Sequence, residues 1–300
     1  MQYQNILAAV QNTVWAILPE KMDAICGFLQ AKSAGMSIDA ATIEKVAATN
    51  RTDRAPVASG SVGVIPIYGT ISQRMDLLGE FSGGTSTERI SKQFDAMMND
   101  SSVSAIVLDI DSPGGNVYGT PELANKIFSA RGTKPIIAQA NSMMASAAFW
   151  IGAATDEIVV TPSGDIGSHG VLAVHFDQSK MNEAVGVEPT YIHYGKYKTE
   201  FSSDHPLTDD ARNELQRRVD EVGEMFTKAL AKYRGVSTTA VRNNFGQGRM
   251  FGPKEAIERG MANREATLEE TIERLASGKK SQSRRRAAVD RRRLDLMRVS

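Results

Sequence analysis

Two adjacent glycines, Gly114 and Gly115, follow an apolar run and could stabilise the oxyanion of an acyl-transfer reaction. Glycines at the carboxyl end of a strand allow a sharp backbone turn that presents N–H groups to developing negative charge. The surrounding residues, Asp111-Ser-Pro-Gly-Gly115, are equally typical of an ordinary Pro-Gly turn. This segment alone leaves a catalytic and a structural interpretation open.

A serine surrounded by alanines, Ser146, is the candidate nucleophile for such a reaction. It lies near the start of a helix predicted over Met143–Ala154, where the helix dipole favours negative charge and small neighbours let a peptide backbone approach. Ser142, just before this helix, is typical of an N-cap. A structural role for Ser146 also stays open at this point.

A serine hydroxyl needs a base to take its proton, and the chain offers two kinds. A lysine of Gly195-Lys-Tyr-Lys198 could serve if desolvation lowered its pKa toward neutrality. His169, in Gly167-Ser-His-Gly170, could instead form a conventional triad with an acid such as Asp165 or Asp204. The residues alone do not decide between lysine and histidine.

Strands alternate with helices in the part of the chain that carries these residues. Such alternation predicts βαβ units and an α/β fold, in which helices flank a mostly parallel sheet. The predicted strands are Val62–Ile71, Ala105–Ile110, Pro135–Ala140, Glu157–Val160, Val171–Phe176 and Thr190–Tyr194. The other predicted helices are Ser86–Met98, Thr120–Ala130, Ala211–Tyr233, Lys254–Arg259 and Ala266–Ala276.

The chain divides into three predicted regions. Residues 1–55 are expected to form a helical N-terminal segment, 56–265 the catalytic domain, and 266–300 a helical, basic C-terminal tail. The chain has 35 Lys and Arg and 35 Asp and Glu, so its formal net charge is zero. The balance hides an asymmetry, because Lys279–Ser300 contains nine basic and two acidic residues. Nucleic acid is not an expected partner, apart from this tail.

The single cysteine, Cys26, cannot form an intramolecular disulfide, and no group of cysteines and histidines has zinc-ligand spacing. We expect a reducing compartment, no metal and no cofactor. The apolar stretch Ile6–Leu18 is interrupted by Gln11 and Asn12 and lacks a basic flank before it, so it resembles neither a signal peptide nor a membrane span. A soluble intracellular protein is the expectation.

Together these segments resemble the signal peptide peptidase A (protease IV) family of serine peptidases, whose fold is related to the Clp protease and crotonase group. The resemblance runs from about Val62 to Asn263 and consists of six motifs in the family's order. They are Asp111-Ser-Pro-Gly-Gly115, Ala145-Ser-Ala-Ala-Phe-Trp150, Ala154-Thr-Asp-Glu-Ile-Val-Val-Thr-Pro162, Gly167-Ser-His-Gly-Val171, Gly195-Lys-Tyr-Lys198 and Gly248-Arg-Met-Phe-Gly252.

The resemblance implies a Ser/Lys dyad in which Ser146 is the nucleophile and Lys198 the general base. Ser168 would orient the lysine amine. The backbone N–H groups implied for the oxyanion hole are those of Gly114, Gly115 and Ala147. The chain departs from the family pattern in two ways: Ala147 and Ala148 stand where many members have glycines, and His169 stands at a commonly apolar position. His169 therefore stays open as an alternative base.

A soluble chain with a helical lead-in and an arginine-rich tail resembles, within this family, the prohead proteases of tailed phages. That resemblance implies cleavage of scaffold and capsid proteins, and of the protease itself, inside an assembling procapsid in the bacterial cytoplasm. It also implies a homo-oligomeric ring in which neighbouring protomers complete the substrate groove. The basic tail would dock on an acidic scaffold or capsid surface or link to a scaffold, and a solvated tail without a partner is the structural alternative.

Other functions fit part of the pattern. A host-type soluble signal-peptide or oligopeptide peptidase would use the same dyad. Crotonase relatives use similar glycine turns to stabilise a thioester enolate, so an acyl-CoA enzyme or a scaffold-binding module without catalysis is an alternative of another class. An acyl-CoA enzyme would not need Ser146 and Lys198 together.

Overall fold

The computed structural model describes residues 10–11, 13–33, 57–59, 61–74 and 84–277. Its strands are β1 (Trp15–Ile17), β2 (Val57–Ser59), β3 (Val62–Tyr68), β4 (Thr70–Ser72), β5 (Gly84–Ser86), β6 (Ala105–Ser112), β7 (Gly114–Asn116), β8 (Ile136–Ala145), β9 (Glu157–Val160), β10 (Asp165–Gly167), β11 (Met250–Phe251) and β12 (Arg264–Glu265). The helices are α1 (Pro19–Ser33), α2 (Thr87–Asn99), α3 (Thr120–Ser129), α4 (Ala147–Ala153), α5 (Ser179–Ala184), α6 (Asp209–Arg234), α7 (Thr238–Asn244), α8 (Pro253–Glu258) and α9 (268–277). The basic tail, Lys279–Ser300, lies outside the described residues.

A mostly parallel sheet flanked by helices forms the centre of the fold, which confirms the predicted α/β class. Its strand order is β11-β10-β8-β6-β3-β2, with the four inner strands parallel and the two outer ones antiparallel to their neighbours. β8 is long enough to pair with two strands on one side: Ile137–Ala140 pair with β9, and Met143–Ala145 with β10. β12 pairs parallel to β9.

A second, smaller sheet has the strand order β1-β7-β4-β5. Within it β7, which follows β6 almost directly, runs antiparallel to β1 and parallel to β4. β1 comes from the N-terminal segment, for which only helices were predicted. That prediction is wrong at Trp15–Ile17, because pairing with a strand far away in the sequence holds these residues extended. It is right for α1, which begins at Pro19.

Apolar strands and helix faces build the core beneath the carboxyl ends of the strands. Ala105–Ile110 of β6 are all buried, as expected for a central parallel strand. Ile90, Phe94 and Met97 share one face of α2 and pack into the same core. The inner sheet is therefore a rigid base for the turns that follow its strands.

The long amphipathic helix predicted over Ala211–Tyr233 is confirmed as α6. Gly235, in the left-handed conformation with φ 67°, ends it. Every residue of α4 is buried, and Trp150 of α4 stacks on Phe226 of α6 with ring centroids 4.3 Å apart. Burying an aromatic side chain of this size stabilises the fold by about 2–3 kcal/mol, so α6 fixes α4 firmly against the sheet.

Three predicted boundaries near the candidate serines are shifted. Met143–Ala145 belong to β8 rather than to a helix, because they pair in register with Asp165–Gly167 of β10. Ser142 is therefore a strand residue and not an N-cap, and α4 begins only at Ala147. In the first predicted strand, Gly69 with φ 68° separates β3 from β4.

Two predicted strands, Val171–Phe176 and Thr190–Tyr194, are absent from the described residues. Both have β-branched and aromatic residues, but a strand also needs a partner to pair with. The first segment has a single bridge, between Leu172 and Trp15. The second lies within residues 183–198, which are exposed throughout.

Candidate active site

Ser146 occupies a sharp turn between β8 and α4. Its φ of 54° and ψ of −114° lie in a region that residues with side chains rarely adopt. Two hydrogen bonds hold this conformation: the Ser146 N–H donates to the Gly167 carbonyl (2.8 Å), and the Trp150 N–H donates to the Ser146 carbonyl (2.9 Å). A strained strand–turn–helix corner is the geometry that presents the nucleophile in other serine hydrolases. The conformation therefore favours a catalytic role over a structural one.

The carboxyl ends of three parallel strands meet around this serine. Ser112, at the end of β6, pairs with Met144 of β8, and Gly167, at the end of β10, pairs with Ala145. This register brings the turn after β6 and the turn after β10 to opposite sides of Ser146. Two of the predicted functional segments are thereby assembled beside the candidate nucleophile.

The glycine turn lies directly against Ser146. Gly114 has φ 94°, and a Cβ built on it would lie 3.0 Å from the Ser146 Cβ and would overlap the Ala16 carbonyl oxygen. A Cβ on Gly115 would overlap the backbone of Ile71 in β4. Only glycine fits at either position, so the turn is more than a common Pro-Gly turn.

The predicted oxyanion donors differ in their availability. Ala147 is the first residue of α4, so its N–H has no acceptor within the helix. The Gly114 N–H instead donates to the Ser112 hydroxyl (3.1 Å), which itself donates to the Gly69 carbonyl (2.6 Å). The sequence reasoning gave Ser112 no role, although a hydroxyl two residues before a glycine is a recognised turn-forming signal. Ser112 thus shapes the turn and occupies one of its amides.

Ser168 and His169 follow β10 on the other side of Ser146. Ser168 is buried and has φ 53°, and its N–H donates to the Arg249 carbonyl (2.8 Å). The Ser146 hydroxyl lies 3.3 Å from the Gly170 carbonyl in the same turn and donates to it. The turn therefore touches the candidate nucleophile through its backbone.

His169 is held as a buried, neutral ring. Its Nε2 lies 3.0 Å from the Thr227 hydroxyl, and its ring meets the Phe226 ring edge to face. The Thr227 hydroxyl also lies 2.9 Å from the Gly223 carbonyl, so the tautomer with its proton on Nε2 satisfies both contacts. Burial, with a smaller contribution from the Arg242 guanidinium, lowers the pKa of His169 to about 4.

The acids that a histidine triad would need are elsewhere. Asp204 accepts hydrogen bonds from Tyr191 and from Asn182 (2.8 Å), and Asp165 is exposed. Within the part of the chain that the structure describes, no carboxylate is hydrogen-bonded to His169. The geometry thus gives no support to His169 as a base oriented by Asp165 or Asp204.

Among the described residues, no hydrogen bond joins Lys198 to Ser146. Lys198 lies in an exposed turn, where its N–H donates to the Gly195 carbonyl (3.2 Å). Lys196, in the same turn, has its Nζ 3.2 Å from the Tyr197 hydroxyl. The structure therefore brings together the predicted nucleophile, the glycine turn and the Ser168 turn, whereas the exposed Lys198 has no described hydrogen bond to any of them.

The strand β1 is a neighbour of the site that the sequence reasoning missed. The Ala16 carbonyl reaches Gly114, as described above, and Trp15 pairs with Leu172 just beyond the Ser168 turn. The alternation of large and small apolar residues in Trp15-Ala-Ile17 was the available signal for a strand.

In the described ranges, no group of three or more His, Cys, Asp or Glu residues is placed to hold a metal ion. None of the helices described between residues 10 and 277 has the length and apolar character needed to cross a membrane.

Comparisons with known proteins agree with the motifs. The Head-tail preconnector protein GP5 of Enterobacteria phage P21 is 31% identical over 245 residues, which cover 82% of this chain and 48% of that protein. Capsid assembly protease C of Escherichia phage lambda is 32% identical over 213 residues, which cover 71% of this chain and 48% of that protein. The Putative signal peptide peptidase SppA of Enterococcus faecium is 26% identical over 189 residues, covering 63% of this chain and 55% of that protein.

This chain spans about half the length of the two phage relatives. The sequence profile of Peptidase family S49 matches residues 129–282, which are more than half of the chain and include Ser146, Ser168 and Lys198. The resemblance inferred from the motifs is thereby confirmed, and the chain belongs to peptidase family S49.

Proposed function

We propose that this chain is a serine endopeptidase that uses Ser146 as nucleophile and Lys198 as general base. The observation that carries the proposal is the strained, buried corner at Ser146 beside a glycine turn, in a member of a peptidase family. The Ser146 hydroxyl attacks the peptide carbonyl carbon, and the Lys198 amine takes its proton and passes it to the leaving amine. Water then hydrolyses the acyl-enzyme.

The backbone around Ser146 would stabilise the oxyanion of this reaction. The Ala147 N–H is the donor without a helical acceptor, and the Gly114-Gly115 turn lies directly against the serine. The Gly114 N–H becomes a donor to the oxyanion only if the Ser112 hydroxyl releases it. Ser168, next to Ser146 and buried, is the residue that would orient the lysine amine.

The lysine is supplied, in this proposal, by a second copy of the chain. A lysine acts as a base only where burial disfavours its charged form, and Lys198 is exposed in the single chain. The segment around it also exposes apolar side chains that a soluble monomer would normally cover, with Ile192 and Tyr194 almost completely exposed. Docking of this segment on a neighbouring copy would bury Lys198 together with the apolar side chains. The same contact, repeated around a closed ring, would give every Ser146 a lysine from the next copy.

The proposed substrates are scaffold and capsid proteins of an assembling phage procapsid in the bacterial cytoplasm, and the chain itself. Support comes from the two phage relatives, whose names are those of a preconnector protein and a capsid assembly protease. The basic residues of the tail would then dock on an acidic scaffold or capsid surface.

A second candidate is a signal-peptide or oligopeptide peptidase of the host type. The similarity to the putative signal peptide peptidase of Enterococcus faecium is the observation in its favour. Co-expression with candidate capsid and scaffold proteins, followed by mass spectrometry of the cut ends, separates the two. Cuts confined to signal-peptide fragments would support the second candidate.

Labelling with a fluorophosphonate probe tests the chemistry itself. The intact chain should be labelled covalently, Ser146→Ala should not, and Ser142→Ala should be labelled as fully as the unmodified chain. Ser142 is the matched control because it is an exposed hydroxyl in β8, the strand that leads into the Ser146 turn. Labelling that persists in Ser146→Ala, or that is absent after long incubation both from the intact chain and from a Trp15→Ala chain with a weakened β1, would favour a binding module or an acyl-CoA enzyme instead.

A further inference from the structure

The strand β1 is hydrogen-bonded along both of its edges. On one edge it pairs antiparallel with β7, with Ala16 opposite Gly115 and Ile17 opposite Gly114, and the Leu18 N–H donates to the Pro113 carbonyl (2.9 Å). On the other edge Trp15 and Leu172 exchange two hydrogen bonds, of 2.8 and 2.9 Å. β1 therefore fills a slot one strand wide between the glycine turn and the segment after Ser168.

This slot passes directly over the candidate nucleophile. A single point, the position of a Cβ on Gly114, lies within contact distance of both the Ala16 carbonyl oxygen and the Ser146 Cβ. The backbone of β1 thus runs where a peptide would have to lie for Ser146 to reach its carbonyl carbon. Ser146 itself is completely buried with β1 in place.

The side chains of β1 alternate between two environments. Trp15 and Ile17 point to one side, where they pack in an apolar cluster with Leu172 and with Met22 of α1. Ala16 points to the other side and is buried in the main core. A peptide bound in this slot would therefore be read as large apolar, small, large apolar at successive positions.

We propose that β1 is an intramolecular occupant of the substrate groove and that the enzyme is autoinhibited until β1 leaves. This inference rests on the proposed peptidase function and adds how the site is controlled and what pattern of peptide it accepts. Twenty-three residues separate Ser33 from Val57, and a chain of that length can extend over roughly 75 Å. A connection of this length is long enough for β1, with α1 still attached to it, to move away from Ser146.

A reversible disulfide tests whether β1 must leave. Residues that exchange two hydrogen bonds across antiparallel strands have Cα atoms about 5.5 Å apart, a separation that a disulfide bridges without distortion. The variant Trp15→Cys/Leu172→Cys is made in the full chain with Cys26→Ala, to remove the native thiol, and with Ser146→Ala, to prevent cleavage. The ligand is a fluorescent synthetic peptide with the sequence of residues 13–19, Thr-Val-Trp-Ala-Ile-Leu-Pro.

The reduced variant should bind this peptide at least about tenfold more tightly than the oxidised one, because only the reduced form can vacate the groove. Trp15→Cys alone, treated with the same oxidant, should bind like the reduced form. Equal affinity of the oxidised and reduced double variant would overturn the proposal. If the double variant does not fold, the Trp15→Ala chain is compared with the chain that retains Trp15. The proposal is overturned if the Trp15→Ala chain binds the peptide no more tightly.

The binding experiment does not depend on catalysis, so the two proposals fail separately. Tighter peptide binding by the reduced form would keep the groove assignment. If chains that retain Ser146, with Trp15 or with Trp15→Ala, also showed no fluorophosphonate labelling of Ser146, the peptidase chemistry would be removed. Labelling at Ser146, together with equal peptide affinity of the oxidised and reduced forms, would keep the peptidase chemistry and remove the groove assignment.

Discussion

The two halves of the proposed dyad lie in contrasting surroundings. Ser146 is fixed by backbone hydrogen bonds between two packed elements, above a helix whose residues are all buried. Lys198 lies in a run of exposed residues that has neither a regular partner strand nor an apolar cover. In the proposed mechanism the core of one chain therefore builds the nucleophile half of the site, and a neighbouring copy supplies the base half.

The largest expected effect on activity comes from removing the side chain of Lys198, the exposed half of the proposed dyad. Lys198→Ala should lower peptidase activity about a thousandfold or more, because the serine then lacks its base. Its free energy of unfolding should stay within about 0.5 kcal/mol of the unmodified chain, since Lys198 is exposed. Peptide hydrolysis and urea unfolding measure the two quantities, and near-normal activity would remove Lys198 from the dyad.

A pair of glycine substitutions compares the rigidity of the two halves. Gly114→Ala should lower the free energy of unfolding by about 3 kcal/mol, because φ is 94° and the new Cβ has no space beside Ser146 and Ala16. Gly195→Ala, in the lysine segment, should cost only about 1 kcal/mol, since φ is 102° but nothing lies within 4 Å of its Cβ. Equal losses in urea unfolding would contradict the contrast.

His169 provides a pH test of the buried half. Its pKa is lowered to about 4 in the folded chain, so the unfolded chain binds a proton first as the pH falls below about 6.5. The stability that the neutral ring contributes is complete above about pH 6.5 and is lost as the pH falls toward 4, by about 2 kcal/mol between pH 7 and 5. Urea unfolding of His169→Gln should show a pH dependence smaller by that amount, and an unchanged dependence would mean that the ring is not buried and neutral.

The smallest effect on chain stability is expected at the proposed contact surface. Ile192→Ser and Tyr194→Ser should change the free energy of unfolding by less than about 0.5 kcal/mol, because both side chains already face solvent. The same variants should reduce the oligomer to monomer at micromolar concentration, as measured by light scattering. Val236→Ser, at a half-exposed residue after α6, is the control that should leave the assembly intact. An unmodified chain that is already monomeric would contradict the ring.

The surroundings of Ser146 were easier to predict from the sequence than those of Lys198. The continuous apolar run of β6 and the apolar residues at helical spacing in α2 are local patterns, and the fold buries both as expected. Ser146 was identified for a related reason, since its alanine neighbours fit a crowded corner. The pairing of β8 with β10 was not foreseen, because hydrogen bonds between strands distant in sequence extended β8 over residues with a helical pattern.

The exposed half and the N-terminal strand were predicted poorly, for the same physical reason. The apolar and β-branched residues at Thr190–Tyr194 suggested a strand, but no strand of the described fold lies beside them. Conversely, three residues at Trp15–Ile17 form a strand only because β7 and Leu172 provide partners on both edges. Whether a short extended segment becomes a strand depends on such distant partners, and the sequence of the segment itself does not show them.

Complementation between two inactive variants tests most directly whether nucleophile and base come from different copies. Ser146→Ala and Lys198→Ala chains are co-expressed in equal amounts, and peptide hydrolysis by the mixed oligomer is compared with that of each variant alone. About a quarter of the unmodified activity should return, because random assembly of a closed ring places an intact serine against an intact lysine at about one site in four. Mixed oligomers as inactive as the separate variants would contradict a site shared between copies.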